Sequence, residues 1–228
     1  MKFSQYPGIE NHESDEEEGG NLPPSGSKIE EKERIIFSAP ETKLRAVGVM
    51  GEISDDASAE VVFGLLSLHN SAVHYESEDP SDEEAELKEV IVPIDMVIST
   101  PGGNADDMFA IYDTMRGIRD EVPIRTRGIG KVMSAGVVLL AAGTKGERSI
   151  GKNCRVMLHS VIGGHVGPMH QLDAEMEEIR NIQDQYISVL SEETKMTKRY
   201  LRNLMKKKVN VYLSATEAVE LGIADKIF

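Results

Sequence analysis

The sequence predicts an α/β domain in which helices cover a central sheet. Short runs rich in β-branched residues alternate with patterns of helical period from about residue 34 onward, and such alternation is typical of α/β folds. A long amphipathic segment follows near residue 170. With 228 residues, the chain is also long enough for one sizeable hydrophobic core.

The predicted elements follow one another along the chain. Strands are predicted at the runs RIIFSA, RAVGVMG, VIVPIDMVIST, PIRTRGIG, RSI, NCRVMLHS and VNVYLSA. Helices are predicted at ASAEVVFGLLSLHN, NADDMFAIYDTMRGIR and SAGVVLLAAGT. Within residues 170–194, apolar side chains recur at steps of three and four and therefore share one face of a long helix: Leu172, Met176, Ile179, Ile182, Tyr186 and Leu190.

Two acidic stretches stand outside this pattern. Residues 1–33 combine Gly, Pro, Ser and acidic side chains with almost nothing apolar, which predicts a disordered tail in front of a domain over residues 34–228. Residues 76–89 form a second acidic stretch around a proline. This stretch predicts a solvent-exposed loop between two elements.

Composition argues against several classes of protein. A formal net charge of −14 does not suit a nucleic-acid-binding surface or an anionic membrane partner. The one cysteine, Cys154, cannot form an internal disulfide. No apolar run approaches the roughly 18 residues that span a bilayer, and the first residues lack the apolar core of a signal peptide. Together these features predict a cytoplasmic protein.

Three motifs could carry chemistry. In STPGGNADD, Gly102 and Gly103 lie between a strand and a helix and could offer backbone N–H groups to an anion, although a plain turn is the commoner role. Ser134 lies at a helix start, where unpaired N–H groups favour an alkoxide-like charge, although an N-cap is the commoner role. His159 ends a predicted buried strand and is either a core histidine or a general base, since imidazole exchanges protons near neutral pH.

A metal site is not predicted. His165 and His170, with Asp173, match no zinc motif in their spacing and are expected in a loop. No cofactor is expected either.

In their order along the chain, these motifs resemble the ClpP family, the proteolytic subunits of Clp proteases. The resemblance is carried by TPGGNADDMFAIYDTM, MSAGVVLLAAGTKGERSIGKNCRVMLHSVIGG and YLSATEAVELGIADKIF, and it extends over residues 34–228. It implies a ClpP/crotonase-like fold of repeated ββα units with a protruding helical handle. It also implies a serine endopeptidase that hydrolyses peptide bonds inside a ring chamber.

The resemblance implies a role for each matching residue. Ser134 matches the nucleophile and His159 the general base. Gly103 and Ala135 match the residues whose N–H groups form the oxyanion hole. Ala135 replaces the usual methionine, but a backbone donor does not depend on that side chain.

The third member of the triad departs from the family. The usual aspartate precedes an aromatic-Leu-Ser-Ala block, and here Asn210 stands in that place. An amide oxygen can hold the imidazole, but without a negative charge we expect a rate loss of up to about 10⁴. Asp173, in the handle, is a weaker candidate for the same role.

The resemblance further implies a homo-oligomer of two stacked heptameric rings, a tetradecamer, with residues 170–194 as the interleaving handle. An AAA+ Clp unfoldase is the implied partner, with proteins or peptides as substrates. Residues 206–209, KKKV, replace charged residues that usually lock the rings, and the acidic tail replaces the axial-loop segment. Weaker ring stacking and altered unfoldase docking are therefore expected.

Two alternatives stay open. The first is a weakly active or inactive ring subunit with a structural or regulatory role, which Asn210 favours. The second is an acyl-CoA enzyme of the crotonase class, which shares the fold and an oxyanion hole. Such an enzyme would normally need acid/base carboxylates, and it does not explain Ser134 and His159.

Overall fold

The computed structural model describes residues 44–77, 86–164, 166–206 and 210–228. These residues belong to one compact unit, Lys43–Phe228. The predicted tail, the expected domain start at residue 34 and the predicted strand RIIFSA lie outside the described residues.

The elements alternate between strand and helix as an α/β fold requires. The strands are β1 Ala46–Ile53, β2 Val73–Ser77, β3 Leu87–Ile91, β4 Ile94–Gly103, β5 Ile124–Met133, β6 Ser149–Ile150, β7 Arg155–Leu158, β8 Val211–Leu213 and β9 Lys226–Ile227. The helices are α1 Asp55–Asn70, α2 Ala105–Ile118, α3 Ala135–Ala141, α4 Met169–Glu193, α5 Lys198–Lys206 and α6 Ala215–Glu220.

A seven-stranded, mostly parallel sheet forms the centre of the unit. Its main order is β1-β4-β5-β6-β9, and the second half of β5 pairs with β7. All of these pairs are parallel, whereas β8 closes the sheet antiparallel to β7. Since parallel strands are covered on both faces, β4 and β5 are rich in buried Ile, Met, Thr and Val.

Helix α3 lies in the middle of the core. All seven of its residues are buried, because the run AGVVLLA is small and apolar on every side. Gly136 lies so close to Thr100 of β4 that a Cβ at this position would overlap the Thr100 methyl group. This close packing fixes where α3 begins, and therefore where Ser134 lies.

The predicted α/β class is confirmed, and the ends of the four predicted helices lie within about three residues of their predicted positions. The run VIVPIDMVIST is not one strand, and that prediction was wrong. Val92 and Pro93 separate β3 from β4, because proline fixes its backbone and has no N–H for the ladder. Strand β3 instead pairs antiparallel with β2 in a separate two-stranded sheet.

The acidic stretch over residues 76–89 is also only partly a loop. Its two ends lie in β2 and β3, which pair from Val73↔Ile91 to Ser77↔Leu87. Residues 78–85 lie outside the described part of the chain. Strands β2 and β9 and helices α5 and α6 were not predicted from the sequence.

Two further features concern the chain as a whole. Within the described ranges, none of the helices is both long and apolar enough to cross a membrane. Cys154 is a free, buried thiol, and burial raises its pKa to about 11.

Candidate active site

The carboxyl ends of three neighbouring strands carry the predicted catalytic residues. Gly103 ends β4, Ser134 directly follows β5, and His159 directly follows β7. β4 pairs with β5, and β5 with β7, all in parallel. Because parallel strands end at the same edge of a sheet, this is where α/β proteins place their ligands.

The three residues share one cavity of about 610 Å³ with Ala135. One side of the cavity is apolar and is formed by helix α4 through Ile179, Ile182 and Tyr186. Its other lining residues, besides the four predicted, are Glu52, Pro101, Asn104, Ala105, Asp106, Met108, Ser160, Val161, Ile162 and Gly163. A cavity that joins an apolar wall to a few polar groups is suited to hold a substrate side chain.

Ser134 adopts a backbone conformation that is rare outside glycine. Its φ is 53° and its ψ is −122°, and it is the one non-glycine residue with positive φ in the described part of the chain. It occupies the sharp turn between β5 and α3, as a serine does in a nucleophile elbow. Strain of this kind concentrates at functional sites, where the surrounding structure holds it in place.

Hydrogen bonds to the main chain of Ser134 maintain this conformation. Its N–H donates to the Met157 carbonyl at 2.8 Å. Its carbonyl oxygen accepts from the Val137 N–H at 3.0 Å and from the Tyr186 hydroxyl at 3.2 Å. The Ser134 hydroxyl makes no capping bond to α3, and its backbone lies outside the extended region that N-caps adopt. The helix-cap explanation of this serine is therefore wrong.

Glycine is required beside the serine. A Cβ on Gly102, whose φ is +102°, would lie 2.6 Å from the Cβ of Ser134. At Gly103 a Cβ would overlap the carbonyl oxygen of Ile53. The missing Cβ of Gly102 lets β4 approach the serine closely, and the missing Cβ of Gly103 lets it approach Ile53 of β1. The Pro-Gly-Gly sequence is therefore more than a plain turn.

The Ala135 N–H lies at the start of α3, and first-turn N–H groups have no partner within their own helix. Among the hydrogen bonds of the described residues, none uses this N–H as donor. It lies beside Ser134 on the cavity wall. A negatively charged oxygen bound there would satisfy it.

His159 is half-buried, and its Nδ1 atom is buried without a hydrogen-bond partner in the described part of the protein. Asn210 lies one residue before β8, and the β7–β8 register pairs Leu158 with Val211. Continuing this antiparallel register by one position sets Asn210 opposite His159. The Asn210 side chain is exposed and makes no hydrogen bond to His159 in the described residues.

The other predicted candidates are not brought to the cavity. His170 and Asp173 are exposed in the first turns of α4, where a loop was expected, and neither lines the cavity. His165 lies outside the described residues. Within the described ranges, no three His, Cys, Asp or Glu side chains are grouped as metal ligands.

Two residues at the site were not singled out from the sequence. Tyr186 bonds to the Ser134 carbonyl, and Gln183, one helical turn earlier, accepts the Val161 N–H at 2.7 Å through its side-chain oxygen. Tyr186 looked like one more member of the apolar face of α4. Its partner is 52 positions away in the chain, so no local pattern could have revealed the contact.

A mostly parallel sheet that brings a strained serine and a histidine to one cavity is compatible with the peptidase class, and comparison with known families supports that class. A model of the Clp protease family matches residues 84–228. The match covers more than half of the chain and includes Gly103, Ser134, Ala135, His159 and Asn210. The chain therefore belongs to the Clp protease family, and its fold is that of a ClpP-type peptidase.

Proposed function

We propose that this chain is a serine endopeptidase with Ser134 as nucleophile and His159 as general base. The backbone N–H groups of Gly103 and Ala135 form its oxyanion hole. Asn210 takes the place of the third triad member. The observation that carries the proposal is the strained turn at Ser134, which leaves its hydroxyl uncapped in a cavity shared with His159.

The reaction follows from these positions. His159 takes the proton of the Ser134 hydroxyl while the oxygen attacks the scissile carbonyl carbon, and the carbonyl oxygen becomes an oxyanion. The N–H groups of Gly103 and Ala135 stabilise that charge. His159 then donates its proton to the departing amine, which leaves an acyl-enzyme on Ser134. Water, deprotonated by His159, hydrolyses the ester and restores the serine.

Asn210 fits the third position through strand register and through the unpaired His159 Nδ1. A buried N–H without a partner costs about 1–3 kcal/mol, and the Asn210 amide oxygen could accept that N–H by a change of side-chain rotamer. Such a bond would hold the imidazole ring in the required tautomer, but it would not supply a charge for the imidazolium. Peptide hydrolysis is therefore expected to be slow.

The test is cleavage of a short fluorogenic peptide by the purified protein, without any unfoldase, beside Ser134→Ala and Asn210→Asp. The parent should cleave slowly, Ser134→Ala should be inactive, and Asn210→Asp should be faster by up to about 10⁴-fold. A fluorophosphonate, which reacts with activated serines, should label the parent and not Ser134→Ala. Unchanged cleavage by Ser134→Ala would contradict the assignment.

We further propose that the chain is a core subunit of an ATP-dependent Clp protease, arranged as two stacked heptameric rings that receive substrates from an AAA+ unfoldase. The apolar face of α4 supports this assembly. Tyr186 and Leu190 are buried, whereas Met176, nearer the start of the helix, is 46% exposed and Met169 is 75% exposed. A second copy could cover this half of the helix. A purely monomeric mass at micromolar concentration would overturn the ring assembly.

A second candidate function is a weakly active or inactive ring subunit with a structural or regulatory role. The unpaired His159 Nδ1 and the exposed Asn210 favour it. This candidate predicts a ring that neither cleaves peptide nor reacts with fluorophosphonate, including in the Asn210→Asp variant.

A further inference from the structure

Tyr186 makes a partly buried hydrogen bond to the peptide group that joins Ser134 to Ala135. Its side chain is almost wholly inside the protein, at 5% exposure, and its hydroxyl lies 3.2 Å from the Ser134 carbonyl oxygen. A carbonyl oxygen can only accept, so the tyrosine donates. Burial raises the pKa of Tyr186 above its usual value, and the phenol therefore stays protonated and able to donate throughout the neutral range.

The Ser134 carbonyl and the Ala135 N–H belong to the same rigid unit. A peptide group is planar, and no cis peptide bond occurs in the described part of the chain. In a trans peptide the C=O and the N–H point in opposite directions, so fixing the carbonyl fixes the N–H. The Tyr186 O–H and the Val137 N–H together occupy the two lone pairs of that carbonyl.

A polarised amide is also a better donor. When the carbonyl oxygen of an amide accepts hydrogen bonds, the N–H on its other side is strengthened as a donor, because bonds in a chain polarise one another. The Ala135 N–H has no partner among the hydrogen bonds of the described residues. The tyrosine therefore acts on the N–H of a residue that lines the cavity, without touching the substrate's reacting atoms itself.

We propose that Tyr186 is a positioning residue that orients and strengthens the Ala135 N–H of the oxyanion hole through the Ser134 peptide group. This inference rests on the proposed function, in which Ser134 is the nucleophile and Ala135 a donor. It adds that helix α4 supplies part of the transition-state stabilisation, although its residues are about 50 positions from the serine, as the separation of 52 between Tyr186 and Ser134 shows.

The test compares Tyr186→Phe, which removes only the hydroxyl, with Tyr200→Phe, which alters a tyrosine that is 45% exposed on α5. Loss of a whole oxyanion-hole donor costs about 10²–10³ in kcat, so loss of its support is expected to cost roughly 10-fold. KM should stay within about twofold, because the oxyanion exists only in the transition state. Tyr200→Phe should match the parent in both constants.

A peptide aldehyde supplies the decisive readout. Ser134 adds to the aldehyde to form a tetrahedral hemiacetal whose oxygen occupies the oxyanion hole, so its Ki should rise in Tyr186→Phe by about the same factor as kcat falls. A purely structural role would lower the melting temperature but leave kcat and the aldehyde Ki unchanged. That result would overturn the proposal.

Fluorophosphonate labelling distinguishes failure of this proposal from failure of the proposed function on which it rests. If fluorophosphonate labels neither the parent nor Tyr186→Phe, the serine is not activated and the kinetic comparison is replaced by crystal structures of the two proteins. The proposal then requires the peptide group between Ser134 and Ala135 to rotate in Tyr186→Phe, so that ψ of Ser134 departs from −122°. An unchanged peptide in the variant would overturn it.

Discussion

At the scale of single residues, the geometry of the site depends on where glycines leave out a Cβ atom and on where a residue with a side chain adopts a strained backbone conformation. Ser134 has a positive φ although it carries a side chain. Gly102 beside it has no Cβ and also adopts a positive φ. The strain at the serine is offset by three hydrogen bonds of its main chain: its N–H donates to the Met157 carbonyl, and its carbonyl oxygen accepts from Val137 and Tyr186. The main chain of Ser134 is therefore held by its surroundings rather than by its own conformational preference.

Adding a side chain at Gly102 has two costs, which are backbone strain at its positive φ and steric overlap with Ser134. Comparison with the same change at Gly51 separates them. Gly102→Ala adds a strained φ and a contact at 2.6 Å with Ser134 Cβ, whereas Gly51→Ala adds a strained φ of +82° with nothing within 4 Å. We expect Gly51→Ala to cost about 1–2 kcal/mol in unfolding free energy and to leave peptide cleavage unchanged. Gly102→Ala should cost more and abolish cleavage.

Urea unfolding and peptide cleavage on both variants provide the measurement. Equal losses of stability in the two proteins, with cleavage retained in Gly102→Ala, would show that the close approach to Ser134 is unimportant.

At the scale of elements, α4 is the helix that joins the site to the rest of the protein. The second half of α4 carries Gln183 and Tyr186 beside the cavity. Its last residue, Glu193, has a side chain only 2% exposed and accepts bonds from Tyr112 at 3.1 Å, Arg119 at 3.0 Å and Lys145 at 2.8 Å. This buried carboxylate ties α4 to α2 and to the loop that follows α3.

Neutralising Glu193 should destabilise the protein strongly. In Glu193→Gln the shape is kept, but the largely buried charge of Arg119 and the half-exposed charge of Lys145 lose their counter-ion. Breaking a buried ion pair in this way typically costs about 3–5 kcal/mol. The neighbouring Glu192 is exposed, so Glu192→Gln should change stability by less than about 0.5 kcal/mol. Urea unfolding midpoints measure both, and equal midpoints for the two variants would contradict the role of Glu193.

At the scale of the whole molecule, the end of the chain is attached through one carboxylate. Asp225, just before β9, accepts bonds from the Gly146 N–H at 2.7 Å and from Arg148, whose Nη2 lies 2.5 Å away. Burial raises the pKa of Asp225, but the bonds and charge of Arg148 and the Gly146 N–H outweigh burial and hold that pKa below its usual value. The ionised form therefore stabilises the pairing of β9 with β6.

Because folding lowers the pKa of Asp225, the stability of the protein should depend on pH in a direction that follows from this pKa. A carboxyl whose pKa is lowered by folding stabilises the protein above its unfolded pKa of about 3.9, and that contribution is lost as pH falls through the folded value. Asp225→Asn should therefore melt at a lower temperature than the parent at pH 7, and the gap should narrow below about pH 4.

Melting curves at pH 7, 5 and 3 would measure the effect, with the exposed Asp120 changed to Asn as control. A gap between Asp225→Asn and the parent that is as large at pH 3 as at pH 7 would contradict the role of the ionised carboxylate.

The elements and site residues that could be predicted from the sequence are those marked by a pattern among neighbouring residues. Helices α1 and α2 have helical apolar spacing, and Gly103, Ser134 and His159 sit in recognisable blocks. Strand β2 was missed because its residues are all polar or exposed apolar. Helix α5 was missed although Leu201, Leu204 and Met205 in its run KRYLRNLMK have helical spacing. Helix α6 has a capping box between Ser214 and Glu217 that the sequence does display.

The remaining features depend on distant contacts. The bond between Tyr186 and Ser134 and the register that sets Asn210 opposite His159 arise only when the sheet forms. The Tyr186 contact has no signature in the neighbouring residues, whereas the block NVYLSA already marked Asn210 through the family resemblance. The backbone strain at Ser134 likewise arises at the junction of β5 and α3 in the folded protein, and the types of the neighbouring residues do not reveal it.

The buried thiol of Cys154 has a practical consequence for experiments on this protein. Thiol reagents attack the thiolate, and a buried cysteine with a pKa of about 11 offers almost none at neutral pH. The natural chain can therefore serve directly as the background for site-specific fluorophores or spin labels, without first removing a cysteine. A single new cysteine at Val166, which is 99% exposed three residues before α4 begins, would be fully accessible to such a label.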